Sequence, residues 1–168
     1  MNRPQPDEYN AYYASYIEKV NDDVLLELEQ QEYSFTDFLK AVPKDKRDYA
    51  YAENKWTVKE VLGHVLDTER MMTYRLLRFS RNDPSDLAGF DEMHYIKNSG
   101  YGNRDFNSLI DEFAQLRKSN LFLFKSLTEN QLALSGTANG SKVSVRALLF
   151  IIAGHLKHHR QVISKRYL

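Results

Sequence analysis

The sequence predicts an all-α fold. Three observations carry that expectation: apolar residues recur at helical spacing in four long segments, strand-like alternation is nowhere sustained, and connections bearing glycine or proline separate the segments.

A short helix is expected over Glu8 to Glu18. The first long helix starts near Asn21-Asp22-Asp23, whose side chains suit an N-cap, and repeats Val24, Leu25, Leu28, Phe35, Phe38 and Leu39 until Pro43 stops it. The second opens with Thr57-Val58-Lys59-Glu60, a pattern in which hydroxyl and carboxylate satisfy free backbone amides reciprocally, and ends near Arg81-Asn82-Asp83-Pro84. Roughly twenty residues follow, too many for a tight antiparallel turn. They include Gly89-Phe90-Asp91-Glu92 and Ser99-Gly100-Tyr101-Gly102 and are expected to border a site. The third helix repeats Phe106, Leu109, Ile110, Phe113, Leu116, Leu123 and Leu127. Thr137-Ala138-Asn139-Gly140 reads as a turn, because Asn-Gly accepts positive φ, and the fourth helix runs from about Ser144 to the end.

With 168 residues the chain suits a single domain spanning 1–168. Lys plus Arg equal Asp plus Glu at 23 each, which removes the broad positive field that binding to phosphate backbones requires, so nucleic acid is not an expected partner. No run approaches a membrane span or a signal peptide, so a cytoplasmic protein away from membranes is expected. There is no cysteine, so any thiol chemistry needs a thiol brought in by a cosubstrate.

The chemistry-bearing residues are histidines. In Gly154-His155-Leu156-Lys157-His158-His159, His155 and His159 are four residues apart and leave one helix face a turn apart. Both fall in the apolar stripe with Leu148, Ile152, Val162 and Ile163, while His158 falls at its edge, placed to meet substrate or water. Two readings stay open: core histidines bonded to backbone or carboxylate, or ligands of one divalent ion that satisfies both neutral imidazoles at once. The general base of the zinc-protease pattern is absent, since Leu156 follows His155.

On the second helix the stripe Val58, Val61, Val65, Met72, Leu76 and Phe79 is centred about 100° from His64, so periodicity leaves this histidine at the border. The residue placed mid-stripe is Glu69. It reads either as a structural ion-pair partner of Arg75 or Arg146, or as a carboxylate that orients a ligand imidazole or moves a proton beside bound metal. His94, in the long connection, reads as solvated. Phe90, Tyr95 and Tyr101 either shape a pocket or pack at the end of the helices.

Taken in order, Trp56-Thr57-Val58-Lys59-Glu60-Val61-Leu62-Gly63-His64, Asp67-Thr68-Glu69-Arg70, Gly-Phe-Asp-Glu at 89 to 92, and Val143-Ser144-Val145-Arg146-Ala147 through His159 resemble the DinB-like (DinB/YfiT-type) superfamily of metal-binding helical proteins. The resemblance covers nearly the whole chain. It implies a four-helix bundle with long inter-helix connections, a homodimer, and a divalent ion, nickel or zinc, held in an open cleft by three histidines. Carried over to this sequence, those ligands are His64, His155 and His159. Proteins similar to this chain include transferases and isomerases that use a low-molecular-weight thiol such as bacillithiol, mycothiol or glutathione.

Three neutral imidazoles leave the charge of an ion uncancelled and a coordination position open. Water bound there ionises near about pH 7, and a bound thiol deprotonates outright. The expected function is therefore that of a metal-dependent transferase of the thiol-S-transferase type, or a hydrolase, acting on a small molecule with Glu69 as the catalytic carboxylate. The alternative is a non-catalytic metal-binding or stress-related interaction protein of the same fold.

Overall fold

The computed structural model describes residues 1–168. Its helices are α1 (Ala14–Ile17), α2 (Val24–Lys40), α3 (Val58–Ser80), α4 (Glu92–Ser99), α5 (Phe106–Lys125), α6 (Glu129–Ala133) and α7 (Val145–Arg166). Strands β1 (Ser135–Ala138) and β2 (Ser141–Ser144) form an antiparallel hairpin just before α7. The long helices close a ring: α2 packs on α5, α5 on α3, α3 on α7 and α7 on α2, while α1 lies across α7. This is the expected all-α four-helix bundle. No helix is long and apolar enough to cross a membrane.

Side-chain caps set where the long helices begin. Thr57 Oγ1 accepts from the Glu60 amide at 3.2 Å, and the Glu60 carboxylate accepts from the Thr57 amide at 2.7 Å, which fixes the start of α3 seven residues before His64. Asp23, Asp105 and Ser144 cap α2, α5 and α7 by a one-way bond, each side chain accepting from the amide three residues on.

Two apolar clusters fill the bundle. One gathers Val24, Leu28, Leu76, Phe79, Phe124 and Leu148 at the hairpin end, and the other Phe35, Leu39, Val58, Leu62, Phe113 and Ile163 at the opposite end. Between them runs a buried polar network. Arg117 donates to Glu69 on α3 and to Gln31 and the Leu28 carbonyl on α2, and Gln31 donates to the Ala153 carbonyl on α7. All four long helices are thus tied at the level of the histidines, because each buried donor needs an acceptor that only a neighbouring helix supplies.

Several expectations are corrected. The N-terminal helix is shorter than Glu8 to Glu18: a 3₁₀ turn over Ala11–Tyr13, capped by the Asn10 side chain, runs into α1. The helix α5 ends at Lys125, so Leu127, expected within it, lies beyond. The long connection carries α4, which buries only Ile96 and so has no stripe to read. Thr137 and Ala138 belong to β1, and Asn139 and Gly140 alone make the turn, with φ of 51° and 70°. Strands of four residues, of which β1 buries only Ala138, leave no alternation in the sequence.

Candidate metal centre

His64 lies in the second turn of α3, and His155 and His159 lie one turn apart in the middle of α7. The α3–α7 contact brings them together. His64 reaches that contact because α3 is buried on two sides, against α5 and against α7. The stripe seen by periodicity is the wider apolar side; His64, Thr68, Met72 and Arg75 form a second row of helical spacing that faces a cleft.

His64 Nε2 stands 2.9 Å from His155 Nε2. The ring centroids of His64, His155 and His159 are 4.4–4.8 Å apart, and one nitrogen from each ring lies within 4.8 Å of the others. Small rotations of these rings would bring all three nitrogens to about 2.0–2.1 Å from one ion. Neither His64 nor His155 bonds to backbone or carboxylate, as a core histidine does; their nitrogens meet each other. The Nδ1 of His159 is buried with no hydrogen-bond partner. A donor set of three imidazoles with an orphaned nitrogen fits a divalent ion of the zinc or nickel kind.

Burial holds these rings neutral. It lowers His64 to about 4, with the His158 charge adding to the effect. Burial likewise pulls His155 and His159 well below the usual histidine range, with the neighbouring histidines contributing. The lone pairs are therefore available at neutral pH.

The histidines form one end of a cleft of about 360 Å³. Its walls include Tyr13, Tyr16, Trp56 and Phe90, and its far end carries Arg75, Glu92 and Asn139. Trp56 lies against His64 with centroids 4.8 Å apart, and Tyr16 meets His155 edge-on at 5.7 Å. The hairpin closes the far end, since Leu87 bonds on both sides to Thr137 and Asn139.

Glu69 is buried elsewhere. Arg117 donates from Nε and Nη2 to its two oxygens at 2.8 and 2.9 Å, and Asn120 donates to Oε1 at 3.0 Å. The ion-pair partner is thus Arg117 on α5, not Arg75 or Arg146, because α3 and α5 face each other there. Arg146 pairs with Glu8. Glu69 does not line the cleft, although a narrow internal gap separates it from His155. His94 is exposed on α4, away from the cluster, and His158 is half-buried against Tyr16 and His159.

Of the loop aromatics, Phe90 lines the cleft, whereas Tyr95 does not and Tyr101 packs on α3 and donates to Asp67 at 2.7 Å. Tyr12, Tyr13, Tyr16, Trp56 and Arg75 are lining residues that sequence reasoning did not assign to a site. The row at 64, 68, 72 and 75 was readable from His64 by helical spacing; the tyrosines, on a segment with no strong periodicity, were not.

A family model of the DinB superfamily matches residues 27–163. Comparison with curated proteins gives no match. The structure is similar to YfiT from Bacillus subtilis, described as a probable metal-dependent hydrolase with an unusual four-helix bundle topology, at TM-score 0.74 and 16% identity over 96% of this chain and 89% of that one. It is also similar to a mycothiol-dependent maleylpyruvate isomerase, at TM-score 0.69 and 11% identity over 86% of this chain and 61% of that one. At these identities what is shared is the fold.

Proposed function

The chain belongs to the DinB superfamily, and from that premise we propose that it is a divalent-metal enzyme of small-molecule chemistry, a thiol-S-transferase or a hydrolase. The observation that carries the proposal is the convergence of His64, His155 and His159, unbonded to any carboxylate, at the end of an open cleft. The neighbour described as a probable metal-dependent hydrolase and the mycothiol-dependent isomerase, which share the fold, are consistent with it.

When bound, zinc or nickel supplies Lewis acidity that makes a thiol or water nucleophilic near neutral pH. The chain's own residues supply the rest. The three imidazoles, neutral because they are buried, would hold the ion. Trp56 and Tyr16 pack on the ligand rings and fix their orientation. The aromatic walls place apolar surface beside the reacting end. With no cysteine in the chain, the thiol in the transferase reaction comes from a cosubstrate. Glu69 serves this site by tying α3 to α5 through Arg117 rather than by touching a reacting atom.

The test is an untagged preparation assayed for metal content, then for turnover with thiol cosubstrates and electrophilic acceptors and with simple esters and amides. Activity lost on chelation and restored by zinc or nickel supports the proposal. Bound metal without turnover on any of these points instead to a non-catalytic metal protein.

A further inference from the structure

Two arginines are buried in this protein, and their surroundings differ. Arg117 is fully buried and its charge is met by Glu69. Arg75 is 4% exposed, and no carboxylate is in ion-pair contact with it. Its Nη2 donates to the Ala88 carbonyl at 3.0 Å and its Nη1 approaches the Met72 sulfur at 3.7 Å, while Nε has no partner. A buried guanidinium without a counter-charge is costly and is ordinarily paired.

The same cleft holds other polar atoms left without partners. Buried orphans are Thr68 Oγ1, Thr73 Oγ1, Arg75 Nε and His159 Nδ1, and three of these four residues line the cleft. Arg75 follows His64 by three turns of α3, about 16 Å along the axis. Arg75 is the single lysine or arginine among the lining residues, and Glu92 the single carboxylate.

We propose that Arg75 anchors a carboxylate of the ligand that enters this cleft, with the reacting end of that ligand at His64, His155 and His159. A single guanidinium matches a singly charged planar carboxylate, which its fork binds side-on. A phosphate dianion calls for a second cation that the lining lacks. Phe90, whose ring centroid is 5.9 Å from the Arg75 guanidinium carbon, gives the body of the ligand an apolar surface, and the Tyr13 hydroxyl sets a polar group beside the anchor. The substrate class is accordingly a small organic acid with an apolar or extended body. The proposal deepens the function given above and rests on this cleft being its ligand site.

The test titrates 3-phenylpropionate, succinate and inorganic phosphate into the full-length untagged protein by calorimetry, with zinc content measured on the same samples. Wild type is compared with Arg75→Gln and with Arg75→Met, which keeps the volume and drops the charge. Expected are carboxylate binding by wild type and at least tenfold weaker binding by both variants at unchanged zinc content. The melting temperature of Arg75→Met is expected to equal or exceed that of wild type, since a buried charge is removed. No carboxylate binding by wild type, a loss smaller than tenfold, or phosphate bound more tightly than either acid overturns the proposal. So does a lowered melting temperature with carboxylate affinity kept, the mark of a purely structural arginine. The titrations are repeated after chelation. Protein that never holds zinc sinks the metal reading, while the Arg75 comparison on that same metal-free protein still decides the anchor.

Discussion

Gly154 lies against the backbone of Tyr16 so closely that a Cβ at Gly154 would stand 2.1 Å from the Tyr16 carbonyl oxygen. The residue before His64 has the same relation to another element: a Cβ on Gly63 would stand 2.2 Å from the Tyr101 ring. Each of the two helices that carry the histidines thus has a glycine that admits a covering segment beside the first ligand. Gly154→Ala is expected to cost about 1–3 kcal/mol and to lower metal occupancy, because backbone cannot swing aside as a side chain can. Gly63→Ala is expected to cost less when combined with Tyr101→Ala. Urea titrations arranged as a double-mutant cycle check both; additive losses at 63 and 101 would count against the contact.

His155→Ala removes one of the two imidazoles that α7 supplies to the cluster. Metal content is expected to fall from about one ion per chain to near zero, with turnover lost alongside, since two imidazoles on different helices leave a site with too few donors. Elemental analysis of the variant decides it: stoichiometric metal retained would remove His155 from the ligand set.

The metal-free protein is expected to lose stability in mild acid. His64 is lowered by burial from 6.5 to about 4, so the folded chain binds fewer protons there than the unfolded chain does. Stability is therefore full above pH 6.5, declines as the pH falls below it, and the loss is complete near pH 4. From His64 alone the loss is on the order of 2 kcal/mol by pH 5. His155 and His159, lowered in the same direction, steepen the decline. Urea midpoints of chelator-treated protein at pH 7 and pH 5 measure it, and a midpoint unchanged between them would contradict burial of the rings in the neutral form.

Glu69→Gln leaves Arg117 buried without a counter-charge and is expected to destabilise the fold by about 3–5 kcal/mol. The double change Glu69→Leu with Arg117→Met removes both charges and is expected to recover most of that loss. Denaturation of the two variants beside wild type checks it. Glu69→Gln with full stability and abolished turnover would restore the catalytic role that the sequence suggested for this carboxylate.

Much of this fold was written locally. The reciprocal cap at Thr57 and Glu60, the stop at Pro43 and the stripes of α2, α3, α5 and α7 depend on residues within a few turns of one another, and the helices begin and run close to where those signals put them. The short elements were not legible for the same reason: α4 buries one residue and β1 one residue, too few to make a period.

The site divides along the same line. By itself the sequence determined that His155 and His159 share a helix face, because four residues is one turn, and that Glu69 lies inside, because its neighbours at helical spacing are apolar. Family likeness, not periodicity, singled out His64. Only the tertiary structure decided that His64 meets the other two, that Glu69 belongs to Arg117, and that Arg75 faces the cleft with its charge unmet. A helix buried on two sides has two faces to assign, and which neighbour covers each is a property of the packed bundle that no local spacing encodes.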